Sequence, residues 1–306
     1  MNAKHVHPSQ PEGIPPGRPG RKLGPIDAGV AASHRLWLEV LRMRFFRSGL
    51  TISDLSERSG WSKSKISELL RGTGLYPRWE ITCSLLHVLG VPTWPVRRLW
   101  AAAAREAQKK PEWIDSCIQG VALHVGPDTP PVDHRAFTEM HRPAYTAYAR
   151  TFLRSDAQAK RTVDEAFDAL WLRWDEALTS SDVVKFSWQV LRRSVMARTP
   201  RLDGHPELTG AAFGTVALSE KKAPAEKFAQ FEESMALFAA VSRLPAHHLD
   251  VMVLKHMRGM SDAAVADVLG VPVVAVSSAD HYAQQHLTTA LRSERAPEGT
   301  PSDSDH

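Results

Sequence analysis

Two cysteines in 306 residues are too few for a disulfide framework. Cys83 and Cys117 form no cysteine pair at metal-ligand spacing, so they read as buried thiols of a reducing compartment, and the protein is expected in the cytoplasm. No stretch approaches the roughly 18 consecutive apolar residues that a membrane helix needs, and no membrane partner is expected. A glycine-rich phosphate loop and a nucleophile elbow are both missing. His247, His248, His256, His281 and His286 give no metal spacing such as His-Glu-x-x-His and read as surface or satisfied core histidines. No catalytic residue, metal or cofactor is therefore expected, and the chain does not read as an enzyme. Alternating strand patterns are absent too, whereas helical periodicity runs almost throughout; the fold class is all-α.

What the sequence has is an uneven distribution of charge. The net charge of +4 hides a segment, 33–110, with 14 Lys/Arg against 6 Asp/Glu, a net of +8. From 111 to 306 the balance is 20 against 26, a net of −6. A basic module beside an acidic one suits a nucleic-acid binder with a separate protein-binding part. A chain of this length suggests two or three modules, and Pro/Gly-rich breaks mark their borders. The expected organisation is a disordered tail at 1–32, a DNA-binding domain at 33–110 and a linker at 111–133. Helical domains follow at 134–201 and 225–292, joined by a linker at 202–224, with a second disordered tail at 293–306.

The stretch TISDLSERSGWSKSKISELLRG, starting at Thr51, carries the sharpest motif. Thr51 can cap a short helix that turns Ile52 and Leu55 inward, and Gly60 supplies a turn with positive φ. Ser62 can cap a second helix that buries Ile66 and Leu69 and stops at Gly72. Ser56 is small where the two helices approach. A small residue, glycine four later and an apolar residue ten later form the mask of a helix-turn-helix. The second helix turns Lys63, Ser64, Lys65, Ser67 and Glu68 outward, with Arg71 at its end and Arg78 beyond. Lysine and serine near a helix N-terminus reach base edges and phosphates together, aided by the free N–H groups of the first turn.

With its flanks, this stretch resembles the phage-repressor-type (Xre) helix-turn-helix family over roughly the first third of the chain. The resemblance implies a five-helix domain on double-stranded DNA, with Lys63, Ser64, Lys65 and Glu68 facing bases and Thr51, Arg71 and Arg78 at or beside phosphates. Trp79, Leu85, Leu86 and Trp100 read as core.

The middle piece resembles region two of extracytoplasmic-function sigma factors. AKRTVDEAFDALW, starting at Ala159, is similar to the helix that docks on core RNA polymerase, which implies a polymerase contact through Asp164, Glu165 and Phe167; Glu165, Phe167 and Trp171 agree with the family, while Arg161 and Asp164 depart from it. FSWQVLRRSVMARTPR, starting at Phe186, resembles the promoter-opening helix, with Arg193 and Ala197 where Asn and Asp are expected. Arg192, Arg193, Arg198 and Arg201 cluster there and suit the phosphate backbone.

The third piece is similar to sigma region four, the −35 element reader. Ala266, Gly270 and Val276 repeat the helix-turn-helix mask. Its would-be reading helix has no lysine or arginine between Pro272 and Tyr282, so it gains little from counterion release, and Asp280 is expected to repel phosphate. Val273, Val274, Ser277 and His281 are expected to form a protein-facing surface instead.

Three functions remain open from the sequence. The first is a DNA-binding transcription regulator whose sigma-like domains contact RNA polymerase or a regulatory partner. The second is a working alternative sigma factor, and the third an interaction protein that binds an anti-sigma-like protein or polymerase.

Overall fold

The computed structural model describes residues 23–121, 126–208 and 234–295, and among these the chain is all-α apart from one short hairpin. Six helices build the N-terminal body: α1 (Ala32–Ser48), α2 (Ile52–Ser59), α3 (Lys63–Arg71), α4 (Trp79–Val88), α5 (Thr93–Glu106) and α6 (Pro111–Gln119). Apolar residues three and four apart on α1 turn Trp37, Leu38 and Leu41 to one side, where they meet Leu99 and Trp100 of α5 in a shared core. Trp79, Leu85 and Leu86 are buried in the same core, as are the side chains of Cys83 and Cys117.

The borders of this body differ from those expected. Pro111 begins α6 rather than a linker, because proline at the first helical position loses no hydrogen bond. Ile114 and Cys117 are buried, and the Trp113 ring stacks on Trp100 with centroids 5.7 Å apart. At the other end, residues 23–31 are a packed strap and not part of a tail. Leu23, Ile26 and Val30 lie against the core. Asp27 N–H donates to the Arg71 carbonyl at 2.9 Å, and the Arg42 guanidinium donates to the Gly24 and Leu70 carbonyls at 2.9 and 2.6 Å. Residues 1–22 of the expected tail lie outside the described residues.

The second body starts with α7 (Val132–Phe152), α8 (Asp156–Trp171), α9 (Trp174–Leu178) and α10 (Val183–Met196). A two-residue antiparallel hairpin, Arg201–Leu202 with His205–Pro206, turns through Asp203 and Gly204, both at positive φ. Leu208 just beyond it is buried, so the expected linker begins as packed structure; residues 209–233 lie outside the described residues. Helix α11 covers 234–242. Then come α12 (Ala246–Met252), which runs on into a π-helical turn at Val253–Met257, α13 (Asp262–Leu269) and α14 (Val273–Arg295). The end of the expected C-terminal tail, 296–306, also lies outside the described residues.

Sequence periodicity separates a second from a third piece, yet they share one core. Tyr145, Tyr148, Phe167 and Trp188 are continuous with Leu249, Leu254, Val265 and Val276. Helix α13 packs on α10, and Gly270 is seated on the first turn of α10. A Cβ there would fall 2.5 Å from Lys185 N, and φ is 65°, so both space and backbone conformation require glycine. No single helix among the described residues is long and apolar enough to cross a membrane.

Candidate nucleic-acid interface

Helices α2 and α3 form the turn that the sequence mask describes. The Thr51 side chain accepts from Asp54 N–H at 3.2 Å while the Asp54 carboxylate accepts from Thr51 N–H at 2.7 Å, a reciprocal capping box. That backbone hydrogen bond, with the Thr51 hydroxyl, holds the Asp54 carboxyl below the usual carboxylate range. Gly60 closes α2 at φ 75°, and the Ser56 hydroxyl donates to the Trp61 carbonyl at 2.7 Å across the turn. Ser62 caps α3 by accepting from Lys65 N–H.

Helix α3 buries Ile66, Leu69 and Leu70 against the body and leaves Ser62, Lys63, Ser64 and Lys65 exposed at its N-terminus. Ser67 and Glu68 are half-buried on its flank. Two of the expected cations already have partners: Lys65 Nζ lies 3.1 Å from Glu68, and Arg78, at the start of α4, lies 2.7 Å from Glu80. Arg71 Nε donates to the Ser67 carbonyl at 3.2 Å. Thr51 is exposed at the head of α2. The face thus gathers hydroxyls, four cations and the free N–H groups of one helix start, a set able to donate to phosphate oxygens and to base edges.

The arginines of α10 and its hairpin do not join this face. Arg192 contacts both carboxylate oxygens of Asp250, at 2.7 and 2.9 Å, and Asp250 also accepts from Tyr148 Oη at 2.7 Å and Trp188 Nε1 at 3.2 Å. Burial pushes the Asp250 carboxyl up while Arg192 and the neutral donors pull it down. Arg198, only 9% exposed, pairs with Glu165 at 2.5 Å and donates to Ser33 Oγ at 2.8 Å. Arg192 and Arg198, expected at the phosphate backbone, therefore have their charge engaged in ties within the protein. Arg193 is exposed but pairs with Glu39 of α1 at 2.6 Å. Arg201 donates to the Gly204 carbonyl within the hairpin.

The expected polymerase-binding residues of α8 are redistributed in the same way. Glu165 is covered by α1 and held by Ser33 and Arg198, and Phe167 is buried, stacked on Tyr145 with centroids 5.5 Å apart. Neither side chain is displayed to a partner. Asp164 alone remains at the surface, paired with Arg142. A resemblance in sequence carries the helix but not its surroundings: the domain docked on α8 turns the Glu165 face into a seam, while Phe167 is taken into the core of the second body itself.

In the second helix-turn-helix frame, Val273 and Val274 are 46% and 75% exposed. Ser277 and His281 are exposed beside them, Ser277 donating to Asp262 at 3.0 Å and His281 lying 2.8 Å from the Gln285 amide. Asp280 is not a free repulsive charge: it is buried, with Lys255 Nζ and His256 Nε2 each 2.6 Å away. These partners hold its carboxyl below the usual range in spite of burial.

Residues 38–99 match a family described as a helix-turn-helix domain, a span from within α1 to within α5. The N-terminal body carries a helix-turn-helix domain. This supports a DNA-binding regulator and is the reading of α2 and α3 that their caps and exposed face suggest. No curated protein matches the chain.

Proposed function

We propose that the chain is a transcription regulator in which α3 reads promoter DNA and the second body meets RNA polymerase or a regulatory protein. The observation that carries the reading is the exposed turn Ser62 to Lys65 at the start of α3, on a domain whose segment 33–110 has a net charge of +8. Placed in a major groove, this turn brings Lys63 and Lys65 to base edges while Thr51, Arg71 and Arg78 flank it for phosphates. Binding draws Lys65 and Arg78 away from Glu68 and Glu80, so part of the counterion-release gain is offset within the protein.

The partner-facing surface in this reading is the head of α14, where exposed valines stand without lysine or arginine. The reading as a working sigma factor loses support at α8, because Glu165 and Phe167 are turned inward. A crosslinking profile of this protein across its genome, beside that of RNA polymerase, tests the proposal. Coincident peaks at a small set of promoters are expected; a profile with no DNA enrichment, or with peaks away from promoters, contradicts it.

A further inference from the structure

The two bodies meet along α1 and α5 on one side and α8 and α10 on the other, and the seam is not fully closed. A cleft of about 230 Å³ lies within it. Its apolar surface comes from both bodies: Leu36, Val40 and Met43 of α1 face Ala169 of α8 and Val190 of α10. At its rim stand two guanidiniums, Arg173 and Arg193, and a single carboxylate, Glu39.

Each rim charge is part of the tie between the bodies. Arg193 holds Glu39 at 2.6 Å. Arg173 lies against the Phe186 ring, 4.8 Å from its centroid, and contacts Glu176 at 3.1 Å; Glu176 in turn binds Arg47 of α1 at 2.7 Å. An apolar floor under two guanidiniums is complementary to a molecule with an apolar body and one acidic head. The size sets an upper limit. A cavity near 150 Å³ admits benzene, and drug-sized ligands need roughly 300 Å³ or more, so the body that fits is one ring or a short chain.

We propose that this cleft binds a small organic monocarboxylate, of the class of octanoate or benzoate, whose head takes Arg193 from Glu39 and whose body lies between α1 and α10. Arg193 meets Glu39 through Nη2 alone, whereas a ligand carboxylate can take two parallel N–H donors, so a head bound in that way takes Nη2 and replaces Glu39. Occupancy therefore breaks one tie between the helix-turn-helix domain and the second body. The site does not depend on which DNA, if any, α3 reads.

Calorimetric titration of the full chain with octanoate and with benzoate tests this, with 1-octanol as the uncharged control. At least one of the acids should bind saturably, and 1-octanol about tenfold or more weaker, as expected for hydrogen bonds to a charged group. Arg193→Gln should weaken the acid about tenfold. Glu39→Gln should tighten it, because the competing carboxylate is gone; a merely structural role for this pair would make both variants weaker or leave both unchanged. Both substitutions sit at the rim, and thermal melting checks that each variant folds. Val190→Trp, which fills the cleft, should abolish binding. Absence of saturable heat with both acids, equal binding of 1-octanol, or weaker binding by Glu39→Gln would overturn the proposal.

Discussion

Replacing Asp250 by alanine should be among the most damaging single changes in the second body. Three donors converge on this buried carboxylate: the Arg192 guanidinium, Tyr148 Oη and Trp188 Nε1. They come from α7 and α10, while Asp250 sits on α12, so the cluster joins elements 58 to 102 residues apart in sequence. Removing one partner of a buried ion pair costs about 3–5 kcal/mol, since the remaining charge keeps its desolvation penalty and loses its attraction. Arg192→Met should cost less, because the Asp250 carboxyl, already raised by burial, can take up a proton and remain hydrogen-bonded. The double variant Arg192→Met/Asp250→Leu should recover part of the loss, as apolar replacement of a buried pair often does. Urea denaturation followed by tryptophan fluorescence gives the stabilities, and anisotropy titration on duplex DNA gives the affinities. DNA binding by the folded Arg192→Met protein should stay within about twofold of the parent, since a lost phosphate contact would also lower the salt slope by about 0.9. Unchanged stability together with weaker, less salt-dependent DNA binding by Arg192→Met would refute the internal role.

Asp168 should make stability depend on pH in a direction opposite to most carboxylates. Burial pushes its carboxyl from 3.8 up to about 7, against the pull of Arg98 at 3.2 Å. The folded state then holds a proton that the unfolded chain releases, so this group's contribution to stability falls as pH rises from about 4 to about 7. The melting temperature of Asp168→Asn relative to the parent should accordingly be higher at pH 8 than at pH 5, and an equal difference at both would contradict this. Gly270→Ala should destabilise the second body by more than the roughly 1 kcal/mol of a left-handed conformation alone, because its methyl would strike the Lys185 backbone; a calorimetric melt decides. Val273→Asp with Val274→Asp should leave DNA affinity unchanged and abolish capture of the partner protein, read by anisotropy and by co-purification with polymerase in parallel.

The helix-turn-helix was legible because its determinants are local. Thr51, Ser62 and Gly60 act within four residues of themselves, and the apolar spacing of Ile66 and Leu69 fixes which face is buried. The fate of the α10 arginines was not legible, because a guanidinium suits a phosphate or a carboxylate equally well. What decides for Arg192 is Asp250, and for Arg198 it is Glu165 together with Ser33, 165 residues away in sequence. The same holds for the α8 residues: helical spacing predicts the helix and its faces, but not that Ser33 of α1 and Arg198 close over Glu165, nor that Phe167 stacks on Tyr145 of α7. Pro111 misled for a simpler reason, since proline ends one helix and begins the next with the same chemistry.

The central claim, that α3 reads DNA, is tested most directly by the salt dependence of DNA binding with and without its two lysines. Affinity of the full chain for fragments recovered from its own genome should fall steeply with salt, and Lys63→Ala/Lys65→Ala should lower the slope of log K against log salt by about 1 to 2, with loss of preference among fragments. The same affinity, slope and preference in the double variant, at matched salt and with an unchanged melting temperature, would contradict the account.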